Sequence, residues 1–99
     1  MADGHTIKRG DALTLAWDLD PAPDPGSTAR VIIRAYRAAT PLVDRAGTLT
    51  DARVSLDLTS EDTAVAGDYR AEIEVTTAGR PVTWPSDGYG LVRIVPDLG

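Results

Sequence analysis

The sequence predicts an all-β domain, an antiparallel β-sandwich of about seven short strands with one short helical turn. Two observations predict this fold class. Apolar and polar side chains alternate with a period of two in several segments, most clearly over residues 69–75, and this period is typical of a strand with one buried face. Seven Pro and nine Gly residues divide the chain into segments of strand length. No segment indicates a helix longer than one turn.

Length, charge and composition narrow the possible classes of protein. The 99 residues suit a single domain, assigned to residues 1–99, of which residues 1–5 are expected to be flexible. The net charge of -5 disfavours nucleic acid as a partner. The chain has no Cys, so disulfides and thiolate metal sites are excluded. The sequence shows no apolar run of signal-peptide or membrane-span length, so we expect no membrane partner.

The first half of the chain is predicted to contain three strands. Residues 6–9 form a short first strand, and residues 13–19 form a second strand whose apolar face carries Trp17. Three prolines between residues 20 and 26 remove ladder donors, so this segment is a surface loop. Residues 29–37 form the third strand.

The second half is predicted to contain the remaining strands and the helical turn. Residues 38–47 are irregular and residues 48–58 form one strand, after which Thr59 or Ser60 caps a single helical turn. The chain then enters the strand that begins at Tyr69. A hairpin over residues 77–80 leads to a strand over 81–84, and residues 89–95 form the last strand, whose register stays open because both of its faces carry apolar groups.

The position of Tyr69 indicates which type of β-sandwich the chain forms. A Tyr that begins a strand after a compact crossover is similar to the tyrosine corner of immunoglobulin-like sandwiches, so the sandwich is predicted to be immunoglobulin-like. Ala71 occupies the place of the second Cys of antibody domains, which agrees with the absence of a disulfide. The residues expected at the corner and in the core are Tyr69, Trp17, Ile73, Val31, Ile33 and Leu56.

Five segments, taken in order, resemble the immunoglobulin-like N-terminal domain of the phage baseplate upper protein family. They are residues 7–11 (IKRGD), 29–34 (ARVIIR), 58–63 (LTSEDT), 66–75 (AGDYRAEIEV) and 84–89 (WPSDGY). Together they span nearly the whole chain in the order of the family.

This resemblance implies a structural role in a bacteriophage virion, at the tail or baseplate. The implied partners are other virion proteins, with the chain present in many copies or as a homo-oligomer. The implied location is the virion, after synthesis in the host cytoplasm without a signal peptide. Capsid decoration and a head-to-tail connection are the alternatives within the particle.

The sequence offers no constellation of catalytic side chains. His5 is the single histidine and lies near the N-terminus, and no Ser stands beside an identifiable base, so the chain is not expected to be an enzyme or to hold a cofactor. Asp18, Asp20 and Asp24 supply oxygens of the kind that Ca²⁺ takes, but their spacing lacks the full ligand series of a calcium loop. A stiff solvated loop is the preferred interpretation, and no metal is expected.

Five side chains are candidates for an interface. They are Trp84, Tyr89, Tyr36, Arg34 and Arg30. Trp84 either fills the core or anchors a partner. Arg30 and Arg34 either mark a contact surface or pair with Glu72 or Glu74 of a neighbouring strand, and the paired interpretation is preferred. If Trp84 and Tyr89 lay exposed side by side, a surface module that binds carbohydrate would be the alternative function.

Overall fold

The computed structural model describes residues 4–35, 38, 40–84 and 90–96, and within them the chain forms eight β-strands and no helix. The strands are β1 (Gly4–Lys8), β2 (Leu13–Asp18), β3 (Thr28–Ala35), β4 (Val43–Thr50), β5 (Arg53–Leu58), β6 (Gly67–Thr77), β7 (Arg80–Trp84) and β8 (Gly90–Val95). The predicted all-β class is therefore confirmed. The number of strands is eight where the sequence indicates about seven.

The strands form one curled sheet that nearly closes into a barrel. Its order is β1-β8-β6-β3-β4-β5-β2, and β7 pairs with the far end of β6. β4 joins the two halves of the sheet, because its first part pairs with β3 and its last three residues pair with β5. β1 runs parallel to β8, and the other pairings are antiparallel. The sheet stays open between β1 and β2 in the described part of the chain.

One side chain spans the opening between β1 and β2. His5 is half-buried in β1, and its Nε2 atom donates a hydrogen bond of 3.1 Å to the carbonyl oxygen of Ala16 in β2. Its ring also lies edge-on to the Trp17 indole, with 5.2 Å between the ring centroids. Gly4 and His5 thus belong to the sheet, although the sequence assigns them to a flexible end, and residues 1–3 lie outside the described residues.

The inward-facing side chains of the sheet form one apolar core. The six residues expected at the corner and in the core, Tyr69, Trp17, Ile73, Val31, Ile33 and Leu56, are each at most 5 % exposed. The structure also gives the register of β8. Val92 and Ile94 are buried, whereas Leu91 and Arg93 lie on the outer face.

Residues 43–58 contain two strands, where the sequence analysis predicts an irregular segment followed by one strand. β4 begins at Val43, and a turn at Asp51 and Ala52 separates it from β5. Asp51 has a φ of 53°, in the left-handed region that Asp tolerates in turns. The sequence analysis does not predict β4 as a strand, because only Val43 is fully buried in it. Its side chains therefore show almost no alternation of apolar and polar residues with a period of two.

The helical turn predicted after Thr59 is a hydrogen-bonded turn and not a helix. Thr59 and Asp62 do exchange the bonds of a helix cap: the Thr59 amide donates to Asp62 Oδ2 over 2.8 Å, and the Asp62 amide donates to Thr59 Oγ1 over 3.2 Å. The chain then turns inward at Thr63, whose side chain is completely buried. The Thr63 hydroxyl donates to the Asp11 carbonyl oxygen over 2.8 Å, which ties the turn to the β1–β2 connection.

Tyr69 closes the crossover that leads into β6. Its hydroxyl donates a hydrogen bond of 2.8 Å to the carbonyl oxygen of Val65, four residues upstream. Burial raises the pKa of this hydroxyl above its ordinary value of 10.0, so the group keeps the proton that it donates. The bond holds the crossover against the buried end of the strand.

Tyr69→Phe is expected to lower the free energy of unfolding by about 1 kcal/mol. The substitution keeps the ring in the core and removes only the donor, so the Val65 carbonyl oxygen loses its partner. Urea unfolding of the two proteins measures the difference. A variant as stable as the wild type would show that this bond does not hold the crossover.

Asp62 is expected to make stability depend on pH. Its hydrogen bond to Arg45, helped by the Thr59 amide, holds the pKa of Asp62 below its ordinary value of 3.8. A carboxyl whose pKa is lower in the folded state stabilises the protein above the unfolded-state pKa and loses that effect as the pH falls through the folded-state pKa. The stabilisation of the folded state by Asp62 is therefore complete at neutral pH, and it is lost on acidification below about pH 4.

The variant Asp62→Asn is expected to be less stable than the wild type at neutral pH, and the difference should narrow below about pH 4. Urea unfolding at pH 7 and at about pH 3 measures this change. Asp24→Asn removes one carboxylate from an exposed loop and controls for net charge. A stability difference that stays constant with pH would contradict the proposed role of the Arg45 contact.

Candidate docking surface

The outer face of β4, β3, β6 and β8 carries charged side chains in rows. Side chains alternate along a strand, so outward residues that are paired in register lie side by side across the sheet. Two neighbouring rows differ in charge, and together we call them the banded face. The acidic row contains Asp44, Ile32 and Glu72, and the basic row contains Arg34, Arg70 and Leu91.

The acidic row places two carboxylates around an apolar residue. Ile32 is paired in register with Asp44 of β4 on one side and with Glu72 of β6 on the other. Ile32 is half-buried, whereas Asp44 and Glu72 are exposed. The row therefore places a carboxylate at both sides of a small apolar centre, and the charge of Asp44 is compensated by Arg30.

The basic row places two guanidinium groups next to a larger apolar side chain. Arg34 of β3 lies directly opposite Arg70 of β6, and Arg70 lies opposite Leu91 of β8. Leu91 is 48 % exposed, and the other large apolar residues with such exposure among the described residues are Val65 and Val82.

One member of the acidic row, Asp44, is held in an ion pair with Arg30. Arg30 binds both carboxylate oxygens of Asp44 at 2.5 Å and also lies 4.0 Å from Glu74. The hydrogen bond from Arg30 holds the pKa of Asp44 below its ordinary value, with a smaller contribution from the charge of Arg34. Arg30 is thus paired mainly with Asp44, which the sequence analysis did not name, and more distantly with Glu74, one of the two predicted partners.

A groove of about 810 Å³ opens beside the basic row. Its lining residues come from β1, β3, β6 and β8 and are His5, Thr6, Ala35, Asp68, Tyr69, Arg70, Leu91, Val92 and Arg93. Two of these lining residues bond to each other, since Asp68 accepts a hydrogen bond of 2.8 Å from Arg93. The groove extends the contact area of the basic row toward β1.

The other interface candidates lie elsewhere. Trp84 ends β7 and is partly buried against the core, so most of its ring serves packing and a smaller part is exposed. Tyr36 and Tyr89 lie outside the described residues. The structure therefore brings Arg30 and Arg34 onto one outer face, whereas Trp84 packs against the core from β7.

The three aspartates that the sequence analysis considers as calcium ligands, Asp18, Asp20 and Asp24, differ in their environment. Asp18 accepts a hydrogen bond of 3.0 Å from Arg53, whereas Asp20 and Asp24 are exposed in the connection between β2 and β3. The described residues contain no group of three or more His, Cys, Asp or Glu side chains that would hold a metal ion. Among the same residues, no helix has the length and apolar character needed to cross a bilayer.

The free edge of β7 is a second surface that a partner would meet. Val82 is 64 % exposed there, and Pro81 brings no amide donor to the strand. Pro in a sheet is confined to edge strands and bulges, and it discourages the addition of another strand. The banded face is therefore the better candidate for docking.

Sequence reasoning found Arg34 and named Glu72 as a possible pairing partner, but it missed the other members of the banded face. The sequence analysis did not single out Arg70, and it left the register of the strand with Leu91 open, because the pairing of β6 with β3 and β8 cannot be read from one strand at a time. The available signal was the charge pattern itself: β6 carries charged residues at every second position from Asp68 to Glu74, and β3 carries Arg30 and Arg34 on one face with Ile32 between them. No protein-family model and no curated protein sequence matches this chain.

Proposed function

We propose that this chain is a non-enzymatic structural component of a bacteriophage virion, which docks to other tail or baseplate subunits. Its fold in this proposal is an immunoglobulin-like sandwich. Docking uses the outer face of the sheet, with orientation from charged groups and affinity from a few apolar contacts. The observation that carries the proposal is the banded face, an exposed surface with ordered rows of charge around Leu91 and Ile32.

The fold part of the proposal is supported by two features. The Tyr69 hydroxyl bonds to a backbone carbonyl a few residues upstream, as in a tyrosine corner. β4 passes from one half of the curled sheet to the other, so in this proposal the two halves serve as the two layers around one core.

The virion part is supported by where two of the five resembling segments lie. Residues 29–34 fall within β3, and residues 67–75 of the fourth segment fall within β6, so these segments supply the middle of the sheet. Both strands contribute to the banded face. The resemblance and the docking surface thus depend on the same strands.

Quantitative mass spectrometry of purified particles tests the proposal. We expect the chain to copurify with intact virions of the phage that encodes it, at a constant and high copy number relative to the tail subunits. A sample from the same gradient fractions of an uninfected culture is the control. Absence of the chain from purified particles would refute the proposal, and its presence in tailless heads would move its position to the capsid.

A further inference from the structure

We propose that β1 is an exchangeable strand, through which two copies of this chain form a dimer about a two-fold axis. In the exchanged dimer, β1 of each copy pairs with β8 of the other copy. The surface that receives it is the edge of β8 that β1 already occupies, in the same five-residue parallel register. Exchange concerns only copies of this chain, so it does not depend on the proposed function.

The contacts that hold β1 are contacts that a second copy supplies equally well. The strand pairs on one side only, with β8. On its inner face Ile7 is buried in the core, and His5 bonds to the Ala16 carbonyl oxygen of β2. An exchanged β1 meets the same β8 and β2 surfaces on the second copy, so these contacts are kept. The closed and exchanged forms therefore differ mainly in the connection between β1 and β2.

This connection, residues 9–12, is exposed along its whole length. In the closed form it turns back, and the Asp11 amide donates to the Lys8 carbonyl oxygen over 3.2 Å. Two further bonds tie the turn to Thr63, one from the Gly10 amide over 3.0 Å and one from the Thr63 hydroxyl to the Asp11 carbonyl oxygen over 2.8 Å. Fully extended, four residues span about 14 Å, which carries β1 away from its own β8. Straightening the connection breaks these hydrogen bonds but exposes no core residue.

The charges of the connection fit a second copy of the same connection. Arg9 and Asp11 flank Gly10, and neither side chain belongs to an ion pair within the part of the chain that the structure describes. Two straightened connections that cross antiparallel, with Gly10 at the two-fold axis, place Arg9 of each copy beside Asp11 of the other. Opposite charges in such positions stabilise an antiparallel pair, and backbone hydrogen bonds between the connections replace those of the turn.

Disulfide trapping tests the exchange. The chain has no Cys, and Thr6 of β1 and Arg93 of β8 are exposed and paired in register. The single variants Thr6→Cys and Arg93→Cys are mixed, unfolded in urea, refolded at about 1 mM and oxidised. The two thiols lie side by side only when β1 of one variant pairs with β8 of the other. We expect at least about tenfold more disulfide-linked heterodimer than homodimer of either variant alone, because thiols held in register have a much higher local concentration.

Arg80→Cys is the matched control for Arg93→Cys. It replaces an exposed Arg at the start of β7, which pairs with the opposite end of β6 from β8, so its mixture with Thr6→Cys is expected to give only background linkage. Refolding at about 0.01 mM is expected to lower the linked fraction, since only the dimer depends on concentration. Circular dichroism verifies that the variants fold. A heterodimer yield at about 1 mM no higher than that of the control would overturn the inference.

Charge reversal in the connection tests how the two copies cross. Arg9→Asp in both Cys variants, or Asp11→Arg in both, creates two like-charge contacts and is expected to lower the linked yield about fivefold. Arg9→Asp in one variant combined with Asp11→Arg in the other makes both contacts attractive again, so the yield is expected to return. Equal yields throughout, or no recovery in the combination, would overturn exchange through this connection. A trapped dimer together with absence from virions would refute only the proposed function, whereas presence in virions without a trapped dimer would refute only the exchange.

Discussion

Ile73→Ala is expected to lower the free energy of unfolding by about 2 to 5 kcal/mol. Ile73 is 1 % exposed in the middle part of β6, in register with Val31 of β3 on one side and with Trp84 of β7 on the other. Truncation removes buried methyl groups and leaves a cavity. β6 cannot shift to fill this cavity, because it is paired with a strand on each side. The loss is large for a domain of this size, since its total stability is expected to be about 5 to 15 kcal/mol.

Val82→Ala is the matched control for this prediction. Val82 also belongs to a strand that pairs with β6, but it is 64 % exposed, so its truncation is expected to change stability by no more than about 0.5 kcal/mol. Urea unfolding followed by tryptophan fluorescence measures both variants. Similar losses for Ile73→Ala and Val82→Ala would contradict the assignment of the core.

Gly47→Ala is expected to cost about 1 to 3 kcal/mol because there is no room for a side chain at this position. A Cβ atom at Gly47 would lie 2.9 Å from Cγ1 of Val54, 3.0 Å from Cγ2 of Val31 and 3.2 Å from the Ser55 carbonyl oxygen. Gly47 is the residue at which β4 leaves β3 and turns toward β5. Neighbours on both halves of the sheet would have to shift to admit a methyl group.

Gly90→Ala is the control for Gly47→Ala. It shows how much stability changes when a strand glycine is replaced at a position where the new methyl group has room. At Gly90 the nearest atoms to a new Cβ are the Ala71 carbonyl oxygen and Nε1 of Trp17, both at 3.6 Å, which is an ordinary contact. The reduced freedom of the unfolded chain then offsets any small strain, so little change in stability is expected. If both substitutions cost the same in thermal and urea unfolding, crowding at Gly47 is not the cause.

The parts of the fold that were predictable are those where burial alternates along one strand. β6 is the best example, because its inward residues from Tyr69 to Val75 are buried in turn. β4 was not predictable in this way, since it changes partners at Gly47 and exposes most of its side chains. The turn at Asp51 was missed for a related reason: Asp-Ala is a weak turn signal, and its positive φ follows from the pairing of β4 with β5.

The candidate surface was predictable only in part, because it depends on register. The sequence indicates that Arg30 and Arg34 share one face of a strand, and it gives possible partners in β6. Which residues lie opposite them follows from the pairing of the strands, which places Glu74 beside Arg30 but Arg70 beside Arg34. The turn at Thr59 shows the same limit, since its cap bonds were predictable while the burial of Thr63 was not.

The parallel pairing of β1 with β8 determines how this domain would respond to mechanical force. The chain enters β1 at Gly4 and leaves β8 at Val95, at opposite ends of the same five-residue ladder. Tension applied to both ends of the chain therefore acts along the ladder and loads its five residue pairs together, as a shear, instead of opening them one after another. With the His5 contact to β2 beside it, the first strand is placed to resist pulling better than its short length suggests.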